Sequence, residues 1–126
     1  MKRILFVCCL LTATCAIPTQ HVYAQTTTFT AADFTTKVNL MDTYIAAGNT
    51  SMAQSTWTDI HNMMLAELGI TKSNIAGAAT AAIAASYTTT IQTQQTLYAD
   101  IWALKTDLTL NRTAIHNKLL AFAATF

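Results

Sequence analysis

From Leu97 to Phe126, eight apolar residues (Leu97, Ile101, Leu104, Leu108, Ile115, Leu119, Phe122, Phe126) recur mostly at three- and four-residue steps, the spacing of one helical face. A face this apolar must be covered, and the upstream chain carries matching stripes. Phe34, Val38, Met41 and Ile45 form one; Ala53, Trp57, Ile60, Met64 and Leu68 form a second. Thr30, with Asp33 three residues on, is a start signal for the first helix, because the hydroxyl caps a free backbone amide and the carboxylate opposes the helix dipole. Phe29 and Phe34 flank that cap at the spacing of a hydrophobic staple, and Gly48-Asn49 is the expected stop. Ser51 and Gln54 read as a capping box for the second helix, which Gly69 should end.

Beyond Gly69 the pattern weakens. Thr71 is a candidate cap for a third helix, and the β-branched run Thr88-Thr89-Thr90 predicts a bend or break between Ser86 and Thr90. The pattern is firm again from Ile91. One helix from Thr71 to Phe126 would be about 84 Å long, against about 27 Å for the hairpin available to cover it. The chain should therefore turn back, best at Asn111, with Thr109 as second choice. The expectation is an all-α protein, a small up-and-down bundle of four helices with the third long or bent; three helices with a long last one is the alternative.

Composition changes the picture at the N-terminus. Lys2 and Arg3, an apolar run from Ile4 to Ile17, and Val22-Tyr23-Ala24 have the three-part layout of a cleaved signal peptide. The run of about 14 residues is too short to span a bilayer, which needs roughly 20. This predicts a cut after Ala24, with residues 1–24 removed, 25–29 as a loose lead-in and 30–126 as one helical domain. The protein is then exported, to the periplasm or outside the cell, with no stable membrane insertion. Cys8, Cys9 and Cys15 all lie in the removed segment, so the mature chain has no disulfide and must rely on a hydrophobic core. Its five bases (Lys37, Lys72, Lys105, Arg112, Lys118) face six acids (Asp33, Asp42, Asp59, Glu67, Asp100, Asp107), a net charge of −1. Such a surface has no footprint for nucleic acid.

Candidate chemistry is sparse. Trp57, His61 and Met64 fall at i, i+4 and i+7 of one helix, bringing an indole, an imidazole and a thioether onto one face, a set suited to Cu(I) or Ag(I). His61-x-x-Met64 resembles the short His/Met pairs of exported copper and silver binders. The bland reading gives Trp57 and Met64 to the core and His61 to its edge. His116 would meet His61 only if the last helix packs on the second. Asp100 and Asp107 would lie along one helix, which is a solvated face and not a pair across a cleft. No nucleophile elbow, phosphate loop or His-Glu-x-x-His occurs, so an enzyme is not expected and no cofactor is implied. Leu108-Thr109 resembles the start of the Leu-Thr-x-x-Gln motif of small periplasmic stress chaperones. Arg112 stands at the glutamine position and the chain is poor in charge, so the likeness is one of class.

The least ordinary stretch is Ser73 to Ala99, which contains no charged residue and is rich in alanine and threonine. A solvent-facing helix normally carries charges on its outer face. The segment is thus expected either to contact a second copy or another protein, or to be a central bundle helix or a loose Ala/Thr-rich connector. The leading expectation is an exported, non-enzymatic helical protein acting by self-association or protein binding, with the soft-metal binder second and a chaperone-like protein third.

Overall fold

A computed structural model describes residues 29–126; the signal-peptide expectation and most of the lead-in lie outside them. The chain forms α1 (Ala31–Ala46), α2 (Thr50–Ala76), α3 (Ala81–Leu104), a short 3-10 turn (Lys105–Asp107) and α4 (Arg112–Ala123). Among the described residues there is no strand. The helices run up, down, up and down, with α1 against α2 and α4, and α3 against α2 and α4. This is the expected small four-helix bundle.

Local chemistry explains most of the boundaries. At the start of α1, the Thr30 hydroxyl accepts from Asp33 N at 3.2 Å, while the Asp33 carboxylate accepts from Thr30 N at 2.7 Å. These bonds hold the Asp33 carboxyl below its usual range, the backbone bond first and the hydroxyl second. At the end of α1, Gly48 takes φ of 70°, a conformation costly for a residue with a Cβ. Gly48 N then reaches Ile45 O at 3.1 Å and Asn49 N reaches Tyr44 O at 2.9 Å, the double closure of a Schellman motif.

Three expectations need correction. Asn49, not Ser51, caps α2, its side chain accepting from Met52 N at 3.2 Å. Gly69 does not end α2, which continues to Ala76. An interior glycine costs only about 1 kcal/mol, and Leu68, Thr71 and Ile75 keep the inward stripe going beyond it. Thr71 is consequently a buried mid-helix residue, 3% exposed, and caps nothing.

The break foreseen at Ser86 to Thr90 lies earlier, between Gly77 and Thr80. Thr80, extended at φ −140°, caps α3 by accepting from Ile83 N. The threonine run stays helical, with Thr88, Thr89 and Thr90 donating to the carbonyls four residues back, at 2.8, 3.2 and 3.2 Å. The turn before α4 falls where expected, but Asn111 makes it differently. Its amide donates to Leu104 O at 2.8 Å, and Asp107 accepts from Leu110 N at 2.8 Å.

The core is built from the foreseen stripes. Phe34, Val38, Ile60, Met64, Ile101, Ile115, Leu119 and Phe122 are fully buried. Leu97, Leu104 and Leu108 pack on them from the edge, and Phe126 is 39% exposed, its ring against Phe34 and Phe122. The long apolar stripe thus belongs to two antiparallel helices, α3 and α4, and not to one.

Helix lengths set the shape. The α1–α2 and α3–α4 connections share one end, and only the α2–α3 connection is at the other. Lys37 pairs with Asp59, so the start of α1 lies beside roughly Leu65 of α2. Gln94 meets Thr125, so α4 stops beside Gln94 of α3. Residues 66–76 of α2 and 81–93 of α3 therefore project as a two-helix arm, roughly 15 to 20 Å long.

Candidate functional site

Two places merit description, an aromatic cluster on the bundle and the face of the arm. In the first, His61 leaves α2 at the seam with α3, where its Nε2 lies 2.9 Å from the Tyr98 hydroxyl. The Trp57 ring stacks on it at 6.3 Å, Tyr98 at 5.8 Å, and Trp102 approaches to 5.1 Å. Tyr98 and Trp102 are four residues apart on α3 and stack on each other. Lys105 sits over the Trp102 ring, 3.4 Å from its centroid, a close cation–π contact. Burial first, and the Lys105 charge second, hold His61 below the usual histidine range. The imidazole is thus biased toward its neutral form, which joins two helices through one hydrogen bond and three aromatic faces.

The three residues proposed for soft-metal binding are placed as follows. Trp57 is 4% and Met64 0% exposed, both within the core, while His61 is half-buried and engaged by Tyr98. Met64 and His61 are on one helix, but Met64 points into the bundle and His61 into the α2–α3 seam. Among the described residues no group of three His, Cys, Asp or Glu side chains is gathered as a metal site. His116 does not join His61: α4 packs on α1 and α3, and His116 faces Asp42 of α1. Asp100 and Asp107 are not on one helix; Asp100 pairs with Lys118 at 2.6 Å and Asp107 caps the turn.

The arm is different in kind. Its two helices belong to the packed α2–α3 pair, and Leu68, Ile75, Tyr87 and Ile91 along them are half-buried. On the side that α1 and α4 cover lower down, nothing covers it among the described residues. There Ser86, Thr89, Thr90 and Thr93 form a shelf above Ala124 and Thr125, bounding an open hollow of about 430 Å³. Ile83 beside it is 43% exposed. The Thr89, Thr90 and Thr93 hydroxyls donate back into α3, so the shelf turns methyl groups and acceptor oxygens outward, with no charge and few free donors.

Where arm meets bundle, polar groups are buried. Gln94 is 0% exposed; its Nε2 donates to the Thr125 hydroxyl at 3.1 Å, and its Oε1 has no partner among the described residues. Burial pushes the nearby Glu67 carboxyl up, against the lowering effect of hydrogen bonds from Gln94 and Thr71.

Sequence reasoning found Trp57 and His61 but not their partners Tyr98, Trp102 and Lys105. The signal was present as an i, i+4, i+7 row running along α3 into the turn that follows it; what was missing was the register of α3 against α2. No protein family, curated protein or solved structure matches the chain. No helix among the described residues is long and apolar enough to cross a membrane.

Proposed function

We propose that this is an exported, non-enzymatic helical protein that acts by binding protein, itself included, through the uncharged Ser73 to Ala99 segment. The observation carrying this reading is the arm: a two-helix projection whose α3 side is uncharged, holds Ile83 and the Thr89–Thr93 shelf, and has its hydroxyl donors largely satisfied within α3. Burying such a face costs little, because desolvation penalises unpaired donors and charges far more than methyls. The aromatic cluster lacks this openness, with Lys105 already laid over the exposed Trp102 ring. Soft-metal binding at Trp57, His61 and Met64 takes second place, since Trp57 and Met64 serve the core and His61 Nε2 is engaged.

A photo-crosslinking residue placed at Thr89 in the exporting cell tests the reading. Discrete protein adducts are expected from Thr89 and not from Thr43 on the exposed side of α1. Equal labelling at both positions overturns it. Determination of the exported N-terminus, expected at Gln25, tests the export step.

A further inference from the structure

We infer that the occupant of the arm's open side is the arm of a second copy of this chain, packed antiparallel so that two hairpins complete one four-helix bundle. The inference rests on the reading above and narrows it to a single partner. Its first support is shape. In the body the bundle has four helices, but α1 and α4 stop at about Leu65 and Gln94, as the Lys37–Asp59 and Gln94–Thr125 contacts fix. Among the described residues, what is lacking beside the arm is two helices wide and as deep as the arm is long. The body that fits is a two-helix hairpin of that same length, and the chain carries one. A two-fold axis placed mid-arm puts each tip at the other copy's shoulder, as a self-complementary contact requires.

The second support is charge. In a two-fold contact every residue meets its own type or a close neighbour, so a charged face would repel itself. No charged residue occurs from Ser73 to Ala99. On α2 the side facing the open space carries Glu67, Ile70 and Asn74, all half-buried. Lys72 falls off that face by helical spacing, and Glu67 lies at its base, where a mid-arm axis sets it against the partner's tip and not against its own copy. The third support is the internal bonding of the Thr89, Thr90 and Thr93 hydroxyls, which lets α3 approach a second α3 without stranding donors. Two helices about 10 Å wide over this length give a footprint of roughly 300 to 400 Å² per copy, below the size of a stable specific interface and in the range of weak, transient contacts. The dimer is accordingly weak and reversible, and is sought at high protein concentration.

Ser86 is exposed and lies near the middle of the arm segment of α3, where it would face the same region of the partner. Sedimentation velocity of the full exported chain, with Ser86→Glu and Ser86→Lys, separates the possibilities. The unmutated protein should dimerise, each variant alone should associate about tenfold more weakly or less, and an equimolar mixture of the two should dimerise again. Thr89→Glu and Thr89→Lys serve as the second pair should either Ser86 variant lose its helical circular dichroism. An unmutated protein that stays monomeric at high concentration overturns the second copy as occupant, and leaves the arm as a surface for a different protein. A dimer indifferent to all four charges overturns the inference and, with it, the assignment of binding to the arm.

Discussion

The body of the bundle and its arm are made from the same two helices, yet they are held together by different means. In the body, each seam between neighbouring helices carries at least one polar clip over the apolar core. Lys37–Asp59 joins α1 to α2 at 2.6 Å, Arg112–Asp42 joins α4 to α1 at 2.6 Å, and Lys118–Asp100 joins α4 to α3 at 2.6 Å. The fourth seam, α2 to α3, is clipped by His61 and Tyr98. In the arm, beyond the Glu67–Gln94 contact at its base, there is no such clip among the described residues, only a narrow apolar seam and threonines bonded to their own helix. Clips fix which helix lies beside which, whereas a bland face leaves its neighbour to be chosen by shape. The body is thus specified from within, whereas the open side of the arm has no packing neighbour among the described residues.

Mutation should separate the two regions by the stability each contributes. Phe122→Ala should destabilise by about 3 to 5 kcal/mol in urea denaturation, since the ring is fully buried and stacks on Phe34. Ile83→Ala in the arm, 43% exposed, should cost less than about 1 kcal/mol. Amide exchange should follow suit, with residues 81–90 opening more readily than the α3 residues beside α4. Equal losses at both positions would mean that the arm is as well packed as the body.

The same contrast explains how far the sequence could be read. Stripes with a strong partner were legible: Phe34, Val38, Met41 and Ile45 lie on one face, and all are buried. The Thr30 cap and the Gly48 stop were legible too, because each rests on local chemistry. In the arm, local signals misled. Gly69 looked like a stop, but nothing that follows it calls for a turn, whereas Gly77 is followed by Thr80 in capping position. The Thr88–Thr90 run looked like a break because intrinsic propensity ignores the back-bonds those hydroxyls make in place. The partners of His61 were hidden for another reason, since which side of α3 faces α2 is a tertiary fact.

The Arg112–Asp42 clip is the next test. Arg112 donates to both carboxylate oxygens, at 2.6 and 2.7 Å, and its hydrogen bonds hold the Asp42 carboxyl below its usual range. The folded state thus binds its proton less readily than the unfolded chain. This contribution is full above the usual carboxylate value and is lost as pH falls through the lowered one. Asp42→Asn should lower the melting temperature at neutral pH and converge with the parent in acid. A constant offset at every pH would mean that the pair acts by packing alone.

His61 should respond in the same sense but higher on the pH scale. Its folded value is lowered by burial and by Lys105, so the stability it confers is complete above the usual histidine value and falls as pH drops through the lowered one. Tryptophan fluorescence from Trp57 and Trp102, which the imidazole touches, should change over that same window. His61→Gln should abolish the change while leaving the helical content intact. A fluorescence transition that persists in His61→Gln would assign it to another group.

The smallest expected effect lies at the boundary itself, at Glu67, and it has the opposite sign. Burial raises this carboxyl, only partly offset by Gln94 and Thr71, so the folded state holds its proton more tightly than the unfolded chain. A group raised in this way favours folding most below its usual value, and that advantage is lost as pH rises through the raised one. At neutral pH Glu67 therefore costs stability where α1 and α4 give out and the arm begins. Glu67→Gln keeps an acceptor for Thr71 and Gln94 but removes the charge, so it should melt slightly above the parent at neutral pH and match it in acid. The gain should be modest, because the side chain is only half-buried and water screens what burial does not. If Glu67→Gln melts below the parent at neutral pH, the carboxylate is a needed part of the joint, and the boundary between body and arm is held by a charge after all.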